Sequence, residues 1–196
     1  RNMIYQKRLN VVILGMFAMF LCTSIKLNAQ EFSVNTQNSS LLVYGTSNIH
    51  DWEIETENQS GVISLETANE LQIKKLNFTV EVESLKSGKN GMDKNTYKAL
   101  DTKKYKTIEF QLVSTEEITD LKDGNFKVKT KGDLKIAGVT KRISLDFNLN
   151  INEGTVKLVG EKSLKMTDYK VSPPTALLGT IKTGDEVTIK FNTILK

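Results

Sequence analysis

The chain has 196 residues, a formal net charge of +4 and one cysteine. Four of its 27 basic residues (Arg1, Lys7, Arg8 and Lys26) precede the first acid, Glu31, and the other 23 equal the 23 acidic residues in number. The chain beyond residue 29 is therefore formally neutral with interspersed charges, which excludes the basic stripe expected of a nucleic-acid binder.

Residues 1–29 have the pattern of a secretory signal peptide. A basic start is followed by the apolar run Val11–Cys22, 12 residues long, and by the small residue Ala29. This run is shorter than the ~20 residues of a membrane-spanning helix. We expect cleavage near Ala29, which predicts a periplasmic or secreted protein with no transmembrane segment in the mature chain. The mature domain, residues 30–196, then has no cysteine and no disulfide.

Alternating apolar and polar residues dominate the rest of the chain and predict half-buried strands of an all-β fold. Turn signals at Gln59–Gly61, Asp123–Asn125 and Asn152–Gly154 separate several of these runs, as in β-hairpins. The strand-like runs are Leu41–Thr46, Trp52–Glu57, Gly61–Glu66, Lys75–Ser84, Thr107–Glu117, Asn125–Ile136, Arg142–Ile151, Thr155–Met166 and Glu186–Leu195.

Two segments break the alternation. Gly91–Leu100 has apolar residues at helical spacing, an early Asp93 and a late Lys98, which predicts a short helix. Thr167–Asp185 contains Pro173 and Pro174, which a central strand does not tolerate, and predicts a long loop or flap.

Many antiparallel strands with one apolar face must close into a barrel or pair with a second sheet. An eight-stranded barrel is filled by side chains or holds one small ligand, and periodicity does not separate these outcomes. The inward-facing positions show no obvious charged residue, so any cavity is expected to be apolar and to prefer an apolar guest.

The single histidine, His50, lies in a Ser47–Trp52 segment that raises the alternative of a hydrolase. Ser47, His50 and Asp51 fall within five residues at a strand end, where adjacent side chains point to opposite faces. A catalytic triad needs its three groups to converge on one point, so we favour a structural role for His50. A lone histidine without cysteine ligands also predicts no metal site.

Two stretches carry a family resemblance. One runs from Ser84-Leu85-Lys86-Ser87-Gly88 through Met92-Asp93 and Ala99-Leu100 to the segment Lys104–Phe110. The other, Lys131–Lys141, contains the element Gly-Asp-Leu-x-Ile-x-Gly-Val-Thr-Lys. Together they resemble the YceI-like family, the lipocalin-like polyisoprenoid-binding proteins of bacterial periplasms, over roughly the whole mature chain.

The resemblance implies an antiparallel eight-stranded lipocalin-like barrel with one short helix near one end. It implies a non-catalytic binding protein that holds a long apolar amphiphile, such as a polyisoprenoid, an isoprenoid quinone or a lipid, in the barrel interior. It implies no catalytic residue and no cofactor other than such a ligand.

The candidate wall residues occupy the inward-facing strand positions, and three residues of the short helix are candidates for capping the barrel mouth. They are Val43, Trp52, Phe78, Val80, Met92, Tyr97, Leu100, Phe110, Leu112, Val128, Ile136, Leu145 and Phe147. The alternative is a packed barrel that acts through its outer surface as a stress or interaction protein. Edge strands and the 167–185 loop are also compatible with a homodimer.

Overall fold

A computed structural model describes residues 29–56 and 58–196, so residues 1–28 of the predicted signal peptide lie outside the described part of the chain. Nearly all of the described regular structure is β. The strands are β1 (Gln30–Ser33), β2 (Ser40–Ser47), β3 (Trp52–Thr56), β4 (Gln59–Glu66), β5 (Gln72–Glu81), β6 (Thr107–Lys122), β7 (Asn125–Ile136), β8 (Val139–Asn152), β9 (Thr155–Lys165), β10 (Thr175–Ala176) and β11 (Ile181–Leu195).

The one α-helix of the described residues is α1 (Asn90–Ala99), which matches the predicted helix to within one residue. Asp93 lies in its first turn and Lys98 in its last, where their charges complement the helix dipole. Three short 3₁₀ turns occupy Thr36–Asn38, Val82–Ser84 and Met166–Tyr169. None of the described helices is long and apolar enough to cross a lipid bilayer.

The strands form one antiparallel sheet in the order β1-β4-β5-β6-β7-β8-β9-β11-β2-β3, with β10 paired to β11. Register shifts interrupt the long β6–β7 pairing at three places, and bulges of this kind increase the twist of a sheet. The sheet therefore curls, and each of its two end strands, β1 and β3, also contacts a distant part of the chain. Ser33 and Lys196 exchange backbone hydrogen bonds of 2.9 Å in both directions, and Glu55 and Lys86 do so at 2.8 and 2.9 Å.

The hairpin turns follow from local backbone chemistry. Ala137 and Gly138 join β7 to β8, and Glu153 and Gly154 join β8 to β9, with positive φ at both residues of each pair. Two consecutive positive-φ residues are typical of the type I′ turn, whose twist matches that of the flanking strands. The predicted turn at Asn152–Gly154 is thus confirmed.

The predicted all-β antiparallel class with one short helix is confirmed, and each predicted strand-like run overlaps an observed strand. The run predicted at Lys75–Ser84 ends early, because β5 stops at Glu81 and Val82–Ser84 form a 3₁₀ turn. The described residues form eleven strands, where the family resemblance implies eight. Nine of them correspond to the strand-like runs of the sequence, and the other two, β1 and β10, contain only four and two residues and are too short to show alternation. The predicted turn at Gln59–Gly61 is wrong, since these residues belong to β4. Gly61 allows the backbones of β4 and β5 to lie close together, because a Cβ there would collide with the backbone of Asn77 on β5.

One end of the barrel, which we call the closed end, is filled by side chains. Its core residues are between 0% and 4% exposed and come from β1, β4, β7, β8, β9 and β11. They include Phe32, Ile63, Leu65, Val128, Leu149, Val156 and Leu195. The opposite, open end is where α1, the β2–β3 turn and β10 lie.

Candidate functional site

The interior toward the open end holds two adjoining cavities. The deep cavity has a volume of about 110 Å³, and the mouth cavity has a volume of about 740 Å³. Ile108 on β6 and Ile189 on β11 line both, so the two cavities meet at the level of these side chains. The barrel is therefore packed at one end and hollow at the other.

The deep cavity is walled almost entirely by carbon atoms from β2, β5, β6, β7, β8, β9 and β11. Among the described residues that line it, Lys162 and Thr193 are the only polar ones. Its other lining residues are Leu41, Leu76, Phe78, Val80, Ile108, Phe110, Leu134, Ile143, Leu145, Phe147, Leu158, Ile189 and Phe191.

Lys162 corrects the expectation that no charged residue occupies an inward-facing position. On β9, Lys162 lies on the same face as the buried Val156 and Leu158, whereas Lys157 and Glu161 lie on the solvent face. Gly160 separates Leu158 from Lys162 on the inward face and interrupts the apolar pattern. The sequence alone therefore does not show which face the second half of β9 turns inward.

Two glycines let aromatic rings lie flat along the inner wall. A Cβ at Gly132 would overlap the Phe110 ring, and a Cβ at Gly160 would lie 2.6 Å from Cζ of Phe191. Each glycine sits on the strand next to its ring, where a larger side chain would push the ring into the cavity. These small–large pairs across strands help to keep the cavity open.

The mouth cavity has an apolar floor and a more polar rim. Apolar side chains from the strands and from residues 164–181 form most of its wall. Lys89, Lys94 and His50 stand at the rim, and no aspartate or glutamate of residues 29–56 and 58–196 lines either cavity. The charged groups that line the space are therefore cationic.

Trp52 forms part of the mouth wall and is held in a defined orientation. Its indole Nε1 donates a 2.9 Å hydrogen bond to the carbonyl oxygen of Thr46. The ring lies over Gly45, the residue opposite Trp52 in the β2–β3 pairing, where any Cβ would overlap it. The glycine thus makes room for the aromatic wall.

Helix α1 covers the open end and is anchored to the segment that follows β5. The carboxylate of Asp93 accepts hydrogen bonds from the backbone N–H of Ser87 at 2.8 Å and from its hydroxyl at 2.6 Å. The Tyr97 hydroxyl accepts a 2.7 Å hydrogen bond from Lys86 Nζ, which raises the pKa of that lysine. It also lies 2.8 Å from the carbonyl oxygen of Leu85, to which it donates. Met92 of the same helix lines the mouth cavity.

Most of the predicted wall residues line one of the cavities. Five line the deep cavity: Phe78, Val80, Phe110, Leu145 and Phe147. Five line the mouth cavity: Val43, Trp52, Met92, Leu100 and Ile136.

The other three predicted wall residues lie elsewhere. Val128 is fully buried in the core of the closed end. Leu112 packs against the same core beside a register shift of β6. Tyr97 turns toward residues 83–86 instead of the cavity.

The His50 segment forms the β2–β3 turn at the rim. The Ser47 hydroxyl donates a 2.7 Å hydrogen bond to the carbonyl oxygen of His50 and accepts one from its backbone N–H. The imidazole Nδ1 lies 2.7 Å from the carbonyl oxygen of Asp51. Serine and histidine thus meet through backbone groups, and their side chains do not form the arrangement that nucleophilic catalysis requires.

The predicted 167–185 loop is more ordered than expected. Met166–Tyr169 forms a 3₁₀ turn, β10 pairs with β11, and β11 begins at Ile181. Tyr169 and Val171 are buried at the mouth wall, 2% and 3% exposed. This burial depends on contacts with distant strands, which local composition does not reveal.

Comparison with known proteins identifies the family. The model of the YceI-like domain matches residues 24–195. The chain belongs to the YceI-like domain family. No curated protein sequence matches it.

Solved structures share the fold. BcnA from Burkholderia cenocepacia is 19% identical, with a TM-score of 0.66 over 82% of this chain and 98% of that one. A polyisoprenoid-binding domain from Saccharophagus degradans is 15% identical, with a TM-score of 0.64 over 84% and 97%. The YceI protein of Campylobacter jejuni is 22% identical, with a TM-score of 0.56 over 71% and 81%.

Proposed function

We propose that this YceI-like protein is a non-catalytic carrier that holds a long apolar amphiphile inside the barrel. The observation that carries the proposal is the pair of adjoining, carbon-lined cavities at the open end. A polar guest would leave its hydrogen-bonding groups unpaired against such walls, whereas an apolar guest gains the free energy of leaving water.

Size and access agree with a chain-like ligand. The mouth cavity, at about 740 Å³, falls within the range of small-molecule sites, and the deep cavity extends it toward the closed end. The ligand classes that we propose are a polyisoprenoid, an isoprenoid quinone or another lipid. The relative from Saccharophagus degradans is described as polyisoprenoid-binding, which supports the first class.

The same proposal places the protein outside the cytoplasm. The signal-peptide pattern of residues 1–29 supports export to the periplasm or secretion. A carrier in an aqueous compartment has a clear physical role, because a long isoprenoid or lipid is almost insoluble without a protein that shields it.

The test is native mass spectrometry of the mature protein purified from its host, followed by organic extraction. We expect a stoichiometric adduct with the mass of a polyprenyl, quinone or lipid compound. A bare mass that persists after incubation with such compounds would contradict the proposal and favour a protein acting through its outer surface.

A matched pair of variants strengthens the test. Ile108→Trp places a large side chain where the two cavities meet and should abolish the adduct. Val159→Trp adds the same bulk to an exposed position of β9 and should leave the adduct intact. Equal retention by both folded variants would place the ligand outside the barrel.

A further inference from the structure

Three large apolar side chains, which we call the rim patch, face solvent at the open end of the barrel. Ile49 in the β2–β3 turn is 56% exposed, and Leu177 and Leu178 in the turn between β10 and β11 are 72% and 109% exposed. Leu178 therefore buries no surface against the rest of the described chain. Single exposed apolar residues are ordinary, but a cluster of them marks a contact site.

Hydrogen bonds hold the two turns of the rim patch side by side. The Asn48 side chain donates to the carbonyl oxygen of Thr180 at 2.9 Å and accepts from the backbone N–H of Lys182 at 2.8 Å. The backbone N–H of Asn48 also donates to the carbonyl oxygen of Lys182 at 3.1 Å. Ile49 directly follows Asn48, and the two leucines belong to the same turn as Thr180. The three apolar side chains are therefore neighbours.

The backbone of the leucine turn gives no reason for leucine. Leu177 and Leu178 have φ of 48° and 54°, in the left-handed region that disfavours residues with a Cβ, and Gly179 follows with φ of 88°. Glycine, asparagine and aspartate are the residues that such turn positions favour. Two consecutive leucines held in this conformation and turned toward solvent are a reason to look for a function.

The rim patch is continuous with the cavity entrance. Ile49 and Leu177 line the mouth cavity as well as facing solvent. A surface that covers the rim patch therefore also covers the opening through which an apolar guest would pass.

The charges around the entrance are cationic. Lys89, which precedes α1, and Lys94, within it, are exposed and line the mouth cavity. The carboxylate of Asp93, between them, is buried and bonded to Ser87. Asp51 of the β2–β3 turn is not among the residues that line the cavity. The entrance thus combines exposed apolar side chains with two lysines, although residues 30–196 are neutral overall.

We propose that the rim patch docks on the surface of a lipid bilayer that contains anionic lipids. Three side chains supply far less than the roughly 800 Å² that each partner contributes to a standard protein interface. They suit shallow insertion among acyl chains, with Lys89 and Lys94 facing the anionic head groups. Docking goes beyond the carrier function and does not require an occupied cavity, but it places the cavity entrance against lipid.

Vesicle co-sedimentation tests the apolar part of the proposal, with vesicles of phosphatidylglycerol and phosphatidylcholine in equal amounts. The wild type should bind, and Leu178→Ser should bind at least about tenfold more weakly, because a leucine side chain gains at least this factor when it leaves water. Leu178→Phe should bind about as well as the wild type. Leu121→Ser, at a position of β6 that is 55% exposed, is the matched control and should also bind as the wild type does.

A second pair of variants tests the charges. A lysine near an anionic membrane surface contributes roughly fivefold to binding. Lys89→Gln and Lys94→Gln combined should therefore lose most of the preference for these vesicles over pure phosphatidylcholine. Lys127→Gln and Lys157→Gln combined, at exposed positions of β7 and β9, should keep that preference, and an equal loss in both double variants would contradict the proposed orientation.

Native mass spectrometry of the same proteins separates docking from the carrier function. Leu178 is not among the described residues that line either cavity, so Leu178→Ser should keep a bound apolar adduct while it loses vesicle binding. A wild type that carries the adduct and does not bind vesicles would overturn docking alone. Leu178-dependent vesicle binding by a protein of bare mass would support docking and contradict the carrier function. Equal loss of binding in Leu178→Ser and Leu121→Ser, or a dimer that Leu178→Ser abolishes, would show that the rim patch is not a membrane contact.

Discussion

The chemistry of Tyr169 is set by its burial at the mouth wall. The residue is 2% exposed, and its hydroxyl has no hydrogen-bond partner among the described residues. Burial, with a smaller effect of Asp168, raises the pKa of Tyr169 from 10.0 to about 12. The phenol therefore stays neutral at physiological pH.

We predict a specific loss of stability for the wild type at high pH. The unfolded state releases the Tyr169 proton near pH 10, whereas the folded state keeps it until about pH 12. The contribution of this group is therefore fully present below pH 10 and is lost as the pH rises toward 12. Urea unfolding of the wild type and Tyr169→Phe should show that the wild type loses more stability across this window, because lysine titration is common to both.

Tyr169→Phe also gives a prediction for stability near pH 7. Because the hydroxyl lacks a partner, Tyr169→Phe should leave the free energy of unfolding unchanged or raise it by up to about 1 kcal/mol near pH 7. A clear loss of stability there would mean that the hydroxyl is satisfied in solution.

Gly45 controls the orientation of Trp52, the only tryptophan in the chain. Gly45→Val should displace the indole, red-shift its fluorescence and destabilise the fold by about 1–3 kcal/mol, as overpacking does. Gly91→Ala is the control, because a Cβ there meets no atom within 4 Å. An unchanged emission spectrum in Gly45→Val would show that the ring is not packed against β2.

At the scale of elements, the long strands could be predicted, because apolar–polar alternation over eight or more residues is typical only of a strand with one buried face. β7, β8 and α1 fall within three residues of their predicted bounds. The segment after Met166 could not be predicted, because its order comes from burying Tyr169 and Val171 against distant strands. The inward position of Lys162 could not be predicted for a different reason. Gly160 precedes it on the same face of β9 and has no side chain that would continue the apolar pattern.

The attachment of α1 to the barrel depends on Asp93, which is buried and accepts two hydrogen bonds from Ser87. Asp93→Ala should cost about 1.5–3 kcal/mol of local stability, as expected for hydrogen bonds to a charged group. Hydrogen exchange should then show faster opening of α1 amides without equal change in β7 or β8. The exposed Lys98→Ala on the same helix is the control, and equal effects of both variants would contradict the anchoring role.

At the scale of the whole molecule, the two ends of the barrel interior differ: one is a packed core that stabilises the fold, and the other holds the cavities. The closed end supplies the fully buried core, and the open end keeps its apolar side chains around empty volume. Period-2 alternation predicts which residues face inward, but it does not encode their depth along the barrel. The sequence therefore predicts the same wall position for Val128 and Leu145, although Val128 packs in the core and Leu145 lines the deep cavity.

Two leucines on β8 separate these roles with the same chemical change. Leu149 is 1% exposed in the closed-end core, so Leu149→Ala should destabilise by about 2–5 kcal/mol in urea unfolding. Leu145 already borders empty space, so Leu145→Ala mainly enlarges a cavity and should cost clearly less, while changing the size of the ligand retained in native mass spectrometry. Equal destabilisation by the two variants would mean that the interior around Leu145 is packed in solution, and the carrier function would then lose the observation on which it depends.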